Sequence, residues 1–438
     1  MVRSPLSDEP QGNCTMRRLS PLQIVCLFLS ASLPLAACNP AGQEIPGERQ
    51  EPPVVPLDGM ATGENVLVVY NDYADDAYDN DTNGNGTCDG LEVAEYYARA
   101  RDIPEGNILG LKFKWHGAQF QNILQSSMLG DETSQYSSDR DFPINELRNH
   151  LAENDAEGRI CYIVLTKGVP LRVLEAAGKV TMSVDMALAV LFDEDIFDPQ
   201  AHNPYYGADS DYTLDSRFPA YRCENPAARI DYLVTRLDGY TVDEVKGMID
   251  RSAAADRTGE RTWILDDHEK RWLDGSGTYY DRLKSAYENL TSRGYRVNPE
   301  PWEESNSWVT TNDGPVIGYV SHGWWAGMPS RYITSVLDFE LSAGAVFSSY
   351  ESFNGNDFHS PDLQFQGRIA EWVRIGGSGG VANVAEPYTD TVVDESVFIT
   401  AYAEGYQLAD AAYMGLRYLG WMQVVVGDPL TCISEHCS

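Results

Sequence analysis

Short apolar runs alternate with stretches of helical periodicity along most of this chain, and that alternation restricts the fold more than any other feature. In the first half the strand-like runs are 65–70 and 160–165, and the helical patterns are 91–100 and 242–252. The second half repeats the scheme, with strand-like runs at 262–265, 316–320, 345–349 and 381–384 and helical patterns at 279–293, 363–375 and 408–416. Strand and helix in turn call for an α/β fold, here two consecutive halves, 61–255 and 256–438, each built on a mainly parallel sheet. Between 192 and 225 the chain is polar and rich in Asp, Pro and Tyr, which predicts a long excursion over the surface. No solenoid-type repeat interrupts the scheme.

The N-terminus carries a different signal. Met16-Arg17-Arg18 precedes an apolar stretch at 21–33, and Leu35-Ala36-Ala37-Cys38 follows, which resembles a bacterial lipobox. The resemblance implies a signal peptide over 1–37, lipid on the Cys38 thiol, and export to the cell envelope. Asn39 stands where an Asp would favour inner-membrane retention, so the outer membrane is the expected address. The apolar stretch is too short to span a bilayer, which takes roughly 20 residues. Segment 38–60, rich in Pro, Gly, Glu and Gln, reads as a flexible tether.

Acidic residues number 66 against 32 basic ones, for a formal charge of -34, so the chain repels phosphate backbones and no nucleic-acid partner is expected. Cys161 lies in an apolar run and reads as a core thiol, while Cys432 and Cys437 stand close enough in sequence to close a small loop. No Cys or His spacing suggests zinc.

Residues 81–92 match an EF-hand calcium loop at every ligand position. Asp81, Asn83, Asn85, Asp89 and Glu92 place oxygens at loop positions one, three, five, nine and twelve, and Thr87 offers its carbonyl at seven. A hard cation is held by several oxygens at once, and Gly86 permits the turn that aims them inward. Asp89 and Glu92 also have capping-box spacing before the helical run. The expected cofactor is one structural Ca2+, pinning the first crossover.

Four stretches, Tyr162 to Arg172, Ser183-Val184-Asp185, Tyr232 to Gly239 and Gly427-Asp428-Pro429-Leu430, make the chain resemble an uncharacterised family of exported bacterial proteins of similar length. More distantly, the second half is similar to the gingipain-type cysteine peptidases of the caspase-haemoglobinase fold. There one strand ends in a catalytic His followed by Gly, and the next ends in a catalytic Cys. His322-Gly323 matches the first element, but the second reads Phe347-Ser348-Ser349-Tyr350-Glu351-Ser352, with Tyr350 or Ser349 where the thiol belongs.

A phenol with pKa near 10 is a poor nucleophile beside a thiolate. Two functions follow from the resemblance. One is a surface protein that binds peptide or glycan at a cleft lined by His322, Trp324, Trp325, Ser349, Tyr350 and Glu351. The other is a serine-variant hydrolase or peptidase with Ser349 as nucleophile and His322 as base. Lys167 and Arg172, after a buried strand, suggest either an anion site or internal ion pairs, and 376–380 reads as a tight helix-to-strand turn.

Overall fold

The computed structural model describes residues 59–73, 80–116, 121–129, 142–155, 157–193, 195–198, 201–266, 278–298, 309–323, 329, 331–361 and 366–437. The leader, Cys38, the tether up to residue 58, and Trp324 and Trp325 lie outside them. Among the described residues no helix is long and apolar enough to cross a membrane.

Ten strands form one sheet: β1 (Val66–Asn71), β2 (Ile108–Leu111), β3 (Tyr162–Thr166), β4 (Leu233–Leu237), β5 (Thr262–Asp266), β6 (Arg296–Asn298), β7 (Val316–Ser321), β8 (Leu341–Ser349), β9 (Gly379–Asn383) and β10 (Gln423–Gly427). Their order is β6-β5-β7-β8-β9-β10-β4-β3-β1-β2. The first half supplies β1 to β4 and the second β5 to β10, so the two halves share one continuous sheet. Pairing is parallel within each group, as expected, except that β10 runs antiparallel to β9. Strands β1, β3, β5, β7 and β9 are buried along their whole length, which explains why they read as apolar runs without alternation, whereas β4, equally buried, carries Thr235 and Arg236 and so does not stand out as such a run.

Helices α1 (Asp89–Ala100), α2 (Val242–Ala253), α3 (Thr278–Ser292), α4 (Ile369–Arg374), α5 (Glu395–Glu404) and α6 (Leu408–Gly415) cover the sheet. A capping box opens α2, where the Thr241 hydroxyl accepts from the Glu244 amide and the Glu244 carboxylate accepts from the Thr241 amide. Two expectations about helix starts need correction. No side chain caps α1: Cys88 is its N-cap residue, and the Asp89 carboxylate instead accepts from the Thr82 amide and hydroxyl. Helix α4 begins at Ile369, later than its pattern suggested, because the amides of Gly367 and Ile369 bond to Glu351 and to the Asn354 carbonyl.

Two glycines show how closely β9 approaches its neighbours. A Cβ on Gly380 would lie 1.9 Å from the Phe347 carbonyl oxygen, and one on Gly379 would lie 2.2 Å from that of Val426. The glycine-rich stretch is therefore the helix-to-strand turn its composition suggested. Cys432 and Cys437 are disulfide-bonded, and Cys161 is a free buried thiol whose pKa burial raises to about 11.

Candidate functional site

Neighbouring strands β5, β7 and β8 end side by side, with Ser321 of β7 in register with both Asp266 of β5 and Ser349 of β8. One residue further, His322 comes beside Tyr350. The two strands therefore deliver an imidazole and a phenol to one place, with ring centroids 6.2 Å apart. Tyr279 of α3 packs on both, 5.3 Å from His322 and 4.9 Å from Tyr350. Burial pushes the His322 imidazole down to about 4, and burial also raises the Tyr350 phenol above its ordinary value.

Period-two alternation turns Ser349 away from this aromatic cluster. Its hydroxyl lies 2.5 Å from Glu351 Oε2, and Asn354 Nδ2 donates to its oxygen at 2.9 Å. Among the described residues these are the side-chain partners of the Ser349 hydroxyl, and His322 is not one of them. The Glu351 carboxylate also accepts from the Gly367 amide at 2.8 Å. A Cβ on Gly323 would meet Glu351 Cγ at 2.2 Å, so only glycine fits after His322. The buried network continues through Asn383, which donates to the Glu351 carbonyl and accepts from Gln423 Nε2.

The motifs that carry the family resemblance lead to a different place. Arg236 Nη2 lies 2.5 Å from Asp185, its Nη1 lies 3.5 Å from Asp238, and Lys167 reaches Asp238 at 3.7 Å, all of them buried. The Lys167 ammonium also donates to the Gly239 carbonyl at 2.8 Å, while Arg172 donates to Asn122 and to the Asn356 carbonyl. Asp428 accepts from Tyr97 Oη at 2.7 Å and from Arg101 Nε at 2.6 Å. These charges satisfy one another inside the fold. The internal-pair alternative thus accounts for Lys167, and the motifs mark architecture more than chemistry.

In the 81–92 loop the amides of Asn85 and Gly86 bond to the Asp81 carboxylate at 3.0 and 2.7 Å. Asn83 Nδ2 and Asn85 Nδ2 both donate to Glu92 Oε2, at 2.9 and 2.7 Å. Gly84 and Gly86 take φ of 70° and 85°, the left-handed values that let the loop curl. Asp81, Asn83, Asn85 and Glu92 are brought together, and Asp89 is turned to Thr82. The second Glu92 oxygen meets the Lys246 ammonium of α2. Among the described residues no group of three or more His, Cys, Asp or Glu side chains is placed to hold a metal; half of this loop's converging side chains are amides.

Sequence reasoning did not single out Tyr279, Asn354, Asn383, Tyr388 or Trp421. The first three are ordinary-looking residues made important by the strand tips they touch. Tyr388 and Trp421 come from separate loops.

No family model and no curated protein matches the chain. Among solved structures it is similar to the Arg-specific cysteine proteinase gingipain R, at 10% identity over 86% of this chain and 80% of that one, with a TM-score of 0.42. It is likewise similar to the complex of the Porphyromonas gingivalis RgpB pro- and mature domains, at 10% identity over 84% and 79%, with a TM-score of 0.41.

Proposed function

We propose that this chain is an exported, lipid-anchored, calcium-binding protein with a gingipain-like scaffold, whose strand tips hold a peptide or glycan at the cell surface without cleaving it. The observation that carries the reading is the separation of the two groups a serine hydrolase must join. Ser349 is hydrogen-bonded to Glu351 and Asn354, and His322 stands with Tyr350 and Tyr279. An imidazole pushed down to about 4 is also a weak general base, since catalytic efficiency peaks when the pKa lies near the working pH. The phenol beside it, raised by burial, is a weaker nucleophile still.

A fluorophosphonate probe tests this directly. No labelling is expected, in the native chain or in Ser349→Ala. Labelling abolished by both Ser349→Ala and His322→Ala would instead establish the hydrolase.

For calcium, Asp81, Asn83, Asn85 and Glu92, with the Thr87 carbonyl, are the residues that would hold the ion. Bound there, it would neutralise the loop's carboxylates and tie the start of α1 to the segment after β1. The curl of the loop, which gathers these four side chains in one place, supports this assignment. Calorimetric titration of chelator-treated protein should give a binding heat that Glu92→Ala removes.

A further inference from the structure

We infer that Tyr388, stacked on Trp421, is a platform for the apolar face of a neutral pyranose, which makes the ligand of the strand tips a glycan. The inference rests on the ligand-holding reading above. Among the described residues Tyr388 is the one large apolar side chain standing open to solvent, 62% exposed. Its ring lies 5.9 Å from that of Trp421 at an interplanar angle of 20°, so one face is covered and the other looks outward. Its backbone has φ 65° and ψ 154°, a region that side-chain-bearing residues avoid and that persists only where the surroundings impose it.

Those surroundings are explicit. The Pro387 carbonyl accepts from Trp421 Nε1 at 2.7 Å and from the Thr391 hydroxyl. Tyr350 Oη donates to the Thr389 carbonyl at 3.1 Å, Arg282 of α3 donates to the carbonyls of Asp390 and Val392, and Gln423 donates to that of Thr391. The loop is thus fixed before any ligand arrives, and it is tied to the cluster of Tyr350, His322 and Tyr279. A rigid side chain presented in advance loses little freedom on binding.

Three observations select the ligand class. The π face of tyrosine is electron-rich, so it attracts the C–H groups that line one side of a pyranose ring. The rim holds exposed acceptors, Glu386 and the hydrogen-bonded pair of Thr389 Oγ1 and Asp390, suited to sugar hydroxyls. The net charge of -34 opposes acidic sugars. A cationic side chain is usually enclosed by several rings at angles, as in an aromatic cage, whereas these two rings are stacked nearly parallel and leave a single flat face.

The test is calorimetry of the full chain against cellohexaose, laminarihexaose, mannohexaose and chitohexaose, with hexagalacturonate and octalysine as charged comparisons. At least one neutral hexaose should bind. Tyr388→Ala should weaken it roughly tenfold, and Tyr388→Phe, which keeps the ring face, should leave it almost unchanged. Tyr388→Gly keeps the backbone conformation without strain and should bind as poorly as Tyr388→Ala, which separates loss of the ring from misfolding. Binding of octalysine alone, or hexaose binding indifferent to Tyr388→Ala, overturns the inference. In the second case, loss of binding in Tyr350→Ala would leave the broader ligand-holding reading standing; silence from every probe would count against both.

Discussion

At the scale of single residues, the site is governed by what each polar group touches. Ser349 gives its hydroxyl to a buried carboxylate, so Ser349→Ala should destabilise the fold by about 1–3 kcal/mol, the cost of leaving a buried acceptor short of a partner. Chemical denaturation measures this, and ligand binding should survive. His322 and Glu395 respond to pH in opposite senses. Because burial lowers the folded-state pKa of His322 to about 4, the unfolded chain takes up the proton first, and stability falls as pH drops from about 6.5 through 4. Glu395, fully buried, is raised to about 7 by desolvation, so its contribution is complete below about 4.5 and is lost as pH rises through 7. Glu395→Gln should therefore flatten the decline between about pH 4.5 and 7, by about 3 kcal/mol at the alkaline end of that window, in urea titrations at several pH values. A mutant that declines as steeply as the native chain would contradict this.

At the scale of elements, a single step of register decides the chemistry. Ser321 opposite Ser349 puts Tyr350, not Ser349, beside His322, and a slip of one residue would reverse the assignment. The calcium loop belongs to this scale as well. Glu92 is shared between the loop and Lys246 of α2, so a cation must compete with the ammonium. Lys246→Ala should accordingly tighten calcium binding in calorimetry, whereas Glu92→Ala should abolish it. If the affinity permits a hundredfold excess over Kd, calcium should stabilise the folded chain by about 2.7 kcal/mol. A thermal melt that calcium leaves unmoved at millimolar concentration would argue that the loop is only a turn.

At the scale of the whole molecule, the joint between halves is the structural decision. β10, from the C-terminal end of the chain, enters between β9 and β4 and completes the sheet. Asp428, immediately after it, is buried and holds Arg101 and Tyr97 at the far end of α1. Removing the carboxylate leaves a largely buried guanidinium without its counter-charge, so Asp428→Ala should cost about 3–5 kcal/mol. The whole sheet should lose stability together; hydrogen exchange that loosens β10 alone would show the halves to be independent.

The alternation of apolar runs and helical periods already determined an α/β fold, because buried parallel strands are apolar throughout and cannot be mistaken for half-exposed ones. His322-Gly323 and the run through Ser349 to Glu351 were legible for the same reason: they end such strands. The register was not, since composition cannot say which residue of Ser349-Tyr350 stands opposite an imidazole. Nor was the choice between an anion site and internal ion pairs for Lys167, which its burial beside Asp238 decides. Tyr388 and Trp421 meet only when two loops converge. Local pattern encodes what each segment becomes on its own; pairing, burial and convergence join residues distant in sequence and exist only in the folded chain.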